Sequence, residues 1–233
     1  MSTEKDKIIL IGDIHGQFPT LGYLLRQKRV DNAFLIQVGD FGIGFHKPEH
    51  YRVMLGILNT QLKERNNHLY AIRGNHDDPA FFKETNNPYG LSNITLLADY
   101  SELTLLEKSI LLVGGAVSVD RVDRVVNKSY WDGEIFQFND KFPYKDHQFD
   151  AIISHTRPRC SGGPKKYDKI AYWLELDETL RPKLEFEADE VQKLYELTKP
   201  RKWFHGHFHE SYLLEYENTE FRCLNIDELY EYR

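Results

Sequence analysis

IILIGDIHGQF, residues 8–18, is the stretch from which the rest of the chain can be read. Four apolar residues in succession read as a strand buried on both faces, and the chain then turns abruptly into Gly12, Asp13, Ile14, His15 and Gly16. A carboxylate and an imidazole, fenced by glycines, thus stand at the end of a buried strand. In open α/β sheets the crevice outside the carboxyl ends of strands is where ligands bind. Similar short runs rich in Ile, Leu and Val recur as AFLIQVGD, HLYAIRG, SILLVGG, DAIISH and KWFHGH. The spacing predicts helices between the early ones. Residues 18–29 place Leu21, Leu24 and Leu25 on one face, and residues 48–65 begin with Pro48 and align Tyr51, Leu55, Leu58 and Leu62. A third helix is expected over 187–198, and the stretch SYLLEYENTEFRCLNID alternates around Asn218 as a hairpin does. Strands alternating with helices, then a strand-rich end, argue an α/β layered domain.

Composition bounds the function. The 233 residues, 41% hydrophobic, suffice for a full core, and no linker or repeat divides them, so residues 1–233 are expected to form one domain. The two cysteines, Cys160 and Cys223, form no disulfide framework, and the opening MSTEKDK has no apolar stretch of the signal-peptide kind. A cytoplasmic location and no membrane association are the expectation. A formal net charge of −6 disfavours sequence-blind nucleic-acid binding, which counterion release drives. Charge is uneven, however. Arg157, Arg159, Lys165, Lys166 and Lys169 form a basic segment, and Glu175, Asp177, Glu178, Glu185, Glu187, Asp189 and Glu190 follow, read here as a solvated face.

Five strand-like runs end in metal-capable residues: Asp13 and His15; Asp40; Asn75, His76 and Asp77; His155; and His205, His207 and His209. Residues two apart in an extended chain point the same way, so Asp13 with His15, and His207 with His209, can each chelate from one side. Carboxylate, imidazole and amide oxygen without thiolate suit manganese, iron or zinc. More donors are present than one tetrahedral ion needs, and two ions about 3.5–4 Å apart can hold a hydroxide between them and clamp a phosphate. Taken singly, each motif has a bland alternative, a turn for Gly-Asp or a surface histidine, and His46, His50, His68 and His147 are read that way. The ordered set is what points to chemistry.

That set resembles the calcineurin-like metallophosphoesterase superfamily, through GDIHG at 12–16, GD at 39–40, RGNHD at 73–77, SH at 154–155 and GHFH at 206–209. The resemblance implies a four-layer α/β/β/α sandwich with two mixed β-sheets and a dimetal site on strand-end loops. It implies that Asp13, His15 and His209 hold a first metal, that Asn75, His155 and His207 hold a second, and that Asp40 bridges them. His76 would meet the substrate and help the leaving group depart. The activity implied is hydrolysis of phosphate monoesters by metal-bound hydroxide, on a small-molecule, nucleotide or phosphoprotein substrate, with two divalent ions: Mn²⁺ foremost, or Fe, Zn or Mg. A phosphodiesterase or nuclease is the alternative, and a non-catalytic scaffold of the same fold ranks last, because every ligand is present.

The second block departs from the protein serine/threonine phosphatase branch. Where that branch has GDxVDRG, this chain has Ile43 and Gly44 in place of the Asp–Arg pair. Positive charge for phosphate is therefore sought at Arg73, Arg121, Arg124 and Arg157, with Asn75 also within reach of substrate. The run GGAVSVDRVDR at 114–124 resembles a segment of some bacterial and phage members. The basic loop after His155 could arch over the site, Tyr172 and Trp173 beyond it could stack on a base, and Cys160 within it is read as an incidental thiol.

Overall fold

The computed structural model describes residues 4–143, 147–162 and 167–233, without the side chains of 167–169. In chain order the elements are β1 (Lys7–Ile11), α1 (Phe18–Gln27), β2 (Ala33–Gln37), α2 (Pro48–Glu64), β3 (His68–Ala71), β4 (Ile94–Leu96), β5 (Ser101–Leu105), β6 (Lys108–Val113), β7 (Ala151–Ser154), α3 (Tyr167–Leu176), α4 (Leu180–Thr198), β8 (Lys202–His205), β9 (Tyr212–Tyr216), β10 (Thr219–Cys223) and β11 (Leu229–Tyr232).

They form two mixed sheets. One has the order β11-β1-β2-β3-β4, parallel from β1 to β4 with β11 antiparallel at one edge. The other runs β5-β6-β7-β8-β10-β9, with its four central strands parallel and an antiparallel strand at each edge. The period of two along each strand explains the continuous apolar runs. In β1, Ile9 and Ile11 face a core shared with Leu21, Leu25, Tyr51, Leu55, Leu58 and Leu62 of α1 and α2. Ile8 and Leu10 face the opposite way, into a core shared with Ile110, Leu112, Ile153 and Phe204 of the other sheet. That sheet's outer face buries Leu111, Ile152, Trp203 and Phe221 against Val191, Leu194 and Tyr195 of α4. Three apolar layers between helices, sheet, sheet and helix make the α/β/β/α sandwich.

The expected helices α1 and α2 form where the leucine spacing placed them, and the hairpin is β9–β10, with Tyr216 opposite Thr219. Three differences have physical reasons. Helix α4 starts at Leu180, seven residues earlier than expected, because Arg181, Pro182, Glu185 and Phe186 face solvent and give no apolar stripe. Helix α3 was not foreseen, its exposed residues including Tyr172 and Leu176. The acidic segment is not wholly a solvated face: Glu187 is 3% exposed, beneath the second sheet. Burial raises its carboxyl to about 8. Lys165 and Lys166 of the basic loop lie outside the described residues, as does the side chain of Lys169.

Candidate metal centre

The parallel strands β1, β2 and β3 of one sheet and β7 and β8 of the other end on the same side, and each carboxyl end opens into a loop that carries candidate ligands. The two sheets are tied across this edge. The amide of His207 donates to both oxygens of Asp13, at 3.2 and 3.0 Å, and within the first sheet the amide of His15 donates to the Asp40 carbonyl at 2.9 Å.

The loops are tightly wound. His15, Asp40, His207 and His209 all have positive φ, between 44° and 66°. Non-glycine residues seldom adopt that region, and such strain persists only where the surroundings impose it. The glycines of the motifs give the carboxylates room. A Cβ on Gly74 would stand 2.1 Å from Asp40 Oδ1, and one on Gly206 would stand 2.1 Å from Asp13 Oδ1. Asp77, grouped with the metal-capable residues in sequence, is instead the clasp of the loops. Its buried carboxylate accepts from the amides of Phe41, Gly42, Ile43 and Gly74 at 2.7–3.0 Å. Burial, with Asp40 nearby, nevertheless raises its carboxyl to about 7.

Asp13, His15, Asp40 and His209 each bring a donor atom to one spot, all within 4.8 Å of one another. His15 Nε2 and His209 Nε2 face each other at 3.1 Å, and His209 Nε2 lies 3.2 Å from Asp13 Oδ2. On the other side of Asp40, His155 Nε2 lies 3.1 Å from Asp40 Oδ1 and 3.2 Å from Asn75 Oδ1, with the ring of His207 centred 5.1 Å from that of His155. Asp40 therefore stands between two groups of three. Carboxylate and imidazole donors converging from separate loops fit a divalent cation.

The orientation of His155 and Asn75 has a visible cause. His155 Nδ1 lies 2.9 Å from the Val38 carbonyl, which fixes the proton there and turns Nε2 toward Asp40. Asn75 Nδ2 donates to Ser118 Oγ at 3.1 Å, so Oδ1 faces His155. Ser118 is anchored in turn, its amide and hydroxyl donating to the two oxygens of buried Glu134 at 2.7 and 2.8 Å. This Asn75–Ser118–Glu134 chain was not foreseen. Its only trace in sequence was the strand-end run beginning at Gly114. Burial opposes charge on both Asp40 and His155, but their mutual attraction wins, holding Asp40 well below the usual carboxylate range and raising His155 to about 10.

His76 sits beside this cluster, its ring 4.7 Å from that of His15 and stacked on Phe45 at 5.9 Å. Its amide donates to Asp40 Oδ1 at 2.7 Å, and Arg124 Nη2 lies 2.6 Å from its Nε2. Burial lowers the imidazole to about 4, with Asp40 pulling the other way and Arg124 adding to the depression. The remaining arginines are held elsewhere. Arg73 is buried and spends its donors on Asp99 and on the carbonyls of Gly133, Glu134 and Ile135, bracing that loop. Arg121 pairs with Asp177 at 2.6 Å, and Arg157 bonds the Tyr212 hydroxyl and stacks on Phe208. Of the four, Arg124 is the one that touches His76. Burial pushes the Cys160 thiol up to about 11, which suits an inert residue.

The sequence model of the calcineurin-like phosphoesterase family matches residues 6–211. The chain belongs to that family. Among curated relatives, Shewanella-like protein phosphatase 1 of Plasmodium berghei (strain Anka) is 35% identical over 81 residues, which is 30% of this chain and 22% of the relative. Among solved structures, a proposed 5′-nucleotidase from Staphylococcus aureus superposes over 94% of this chain and 48% of its own, with a TM-score of 0.50 and 14% identity. The phosphopantetheinyl hydrolase of Mycobacterium tuberculosis aligns over 97% of this chain and 92% of its own, with a TM-score of 0.45 and 12% identity. At 14% identity the likeness to the nucleotidase is one of fold. No helix among the described residues is long and apolar enough to cross a membrane.

Proposed function

We propose that this protein hydrolyses phosphate monoesters at a centre of two divalent cations, Mn²⁺ foremost. The observation that carries the reading is the position of Asp40, whose two oxygens face different groups: His155 at 3.1 Å from Oδ1 and His15 at 3.8 Å from Oδ2. Asp13, His15 and His209 would hold one ion, Asn75, His155 and His207 the other, with Asp40 between them. Two such ions would supply charge to offset that of the phosphate and lower the pKa of a water from 15.7 to about 7. The protein's own part is positioning and proton handling. His76 presents its ring at the mouth of the cluster, on the side of Phe45 and Arg124, where a leaving group would depart. Arg124, itself paired with Asp120 at 2.7 Å, is the cation beside the imidazole, and a guanidinium suits a phosphate oxygen. Arg124 takes the phosphate-gripping role in this reading because, of the four arginines, it is the one that touches His76.

The test is a panel of phosphate mono- and diesters with Mn²⁺, Mg²⁺, Zn²⁺ and no metal, with metal content measured on the same protein. Monoester turnover that chelation abolishes and Mn²⁺ restores, with two ions per chain, is expected. Faster diester turnover would move the reading to a phosphodiesterase, and turnover in a metal-free sample would remove the metal centre from it.

A further inference from the structure

The candidate centre opens into a cavity of about 560 Å³, bounded by His15 and His76 at one end and reaching over the N-terminal turns of α1 and α2. That volume lies in the range of sites built for small molecules. Its lining differs from the surface around it. The chain carries 36 acidic residues and a net charge of −6, yet among the described residues none that lines this cavity is Asp or Glu. One wall instead holds His46 and His50, with imidazole rings centred 4.4 Å apart, and Lys128 also lines the cavity, all three exposed. Between this wall and His76 lie apolar and aromatic surfaces. Phe45 stacks on His76 and meets Trp131 edge-on at 5.0 Å, and Met54 and the buried Tyr51 form the floor. The loop carrying this wall is held in place. The Tyr51 hydroxyl accepts from the consecutive amides of Gly44, Phe45 and His46 at 2.9–3.1 Å. His46 and His50 were read from sequence as bland surface histidines; nothing near them in the chain shows that the fold lays them along the rim of the centre.

We infer that this cavity is a leaving-group subsite, and that the preferred substrate is a phosphate ester whose leaving group joins a flat ring to a second anionic group. The ring would lie on Phe45 and Met54, and the second anion would meet the donors of His46, His50 and Lys128. The absence of carboxylate in the lining is what admits that anion, since a single Asp or Glu there would repel it. This assignment deepens the phosphoesterase reading and rests on it.

The experiment compares adenosine 3′-monophosphate, adenosine 3′,5′-bisphosphate and 4-nitrophenyl phosphate on the Mn²⁺-loaded enzyme, with products identified by chromatography. The expected result is a kcat/KM about tenfold higher for the bisphosphate than for the monophosphate, carried by KM, as one exposed lysine and two imidazole donors would give. Combined His46→Ala, His50→Ala and Lys128→Ala should bring that ratio near one, and Lys128→Glu alone should press it toward one by repulsion. A wild-type ratio near one, with 4-nitrophenyl phosphate turned over, would overturn the subsite and leave the phosphoesterase reading standing. So would a high ratio that neither variant changes. If the wild type turns over none of the three, the phosphoesterase reading has itself failed.

Discussion

At the scale of single residues, His76 and Asp40 are the two positions where geometry and chemistry separate. The amide of His76 donates to Asp40, so its backbone belongs to the centre while its ring faces outward, against Phe45 and Arg124. If the ring, neutral in the free protein, takes up a proton beside the bound phosphate dianion and then serves the leaving group, His76→Asn lowers turnover by about 10²–10⁴-fold, the usual span for a general acid, with metal content unchanged. The loss should be largest for an alkyl phosphate and smaller for a nitrophenyl ester, whose leaving group needs little protonation. Equal losses on both esters would assign His76 to phosphate binding, and loss of metal would make it a ligand. Asp40→Asn tests the other role. Replacing an anion that faces both donor groups with a neutral amide should weaken metal binding at both, by more than the 10–100-fold typical of an outer-sphere partner, and abolish turnover. Normal metal content and rate in that variant would refute the bridge. Both positions were legible because each follows a glycine-fenced strand end. The Asn75–Ser118–Glu134 chain was not, since a buried glutamate 59 residues from the asparagine it steadies carries no local signal.

At the scale of elements, the helix α2 and the loop before it form one unit through a single hydroxyl. Tyr51 accepts three amide hydrogens of that loop and donates to the Gly42 carbonyl at 3.2 Å. Tyr51→Phe removes that acceptor and leaves its partners to find others. It should cost about 0.5–1.5 kcal/mol, the net worth of an ordinary hydrogen bond where the partners are only part-buried, seen as a lower midpoint of denaturant unfolding with an unchanged slope. An unaltered midpoint would mean the loop finds its partners in water. The sequence signals for these elements were of unequal strength. The apolar runs of β1, β2, β3, β6, β7 and β8 are central strands covered on both faces, and α1 and α2 bury regular leucine stripes, so both periods can be read. The short β4 and the edge strands β5 and β11 lack such runs, because pairing with a formed sheet, rather than their own pattern, makes them strands. The same logic hid Tyr51. In sequence it is one more apolar position of a helical stripe, and only the fold brings its hydroxyl beneath the loop.

At the scale of the whole molecule, the four layers explain how an acidic chain carries a carboxyl in its interior, and they make a prediction about pH. Helix α4 must press its apolar stripe on the second sheet, and Glu187 falls within that contact, next to Thr156 and the backbone of Phe136. Burial raises its carboxyl from the ordinary 4.5 to about 8, and the bonds from Thr156 and Phe136 only partly offset the shift. The folded state therefore holds this proton more tightly than the unfolded state does. Its contribution to stability is fully present below about pH 4.5 and is lost progressively as pH rises to about 8, because the unfolded chain gives up the proton first. Glu187→Gln keeps the shape and removes the titration. The variant should match the wild type near pH 5 and exceed its unfolding midpoint at pH 8, by a margin that grows steadily between. Denaturant midpoints of both proteins across that range give the comparison, with wild-type Cys160 retained in each. Parallel profiles would show that Glu187 is ionised in the folded protein throughout, and that α4 lifts from the sheet far enough to hydrate it.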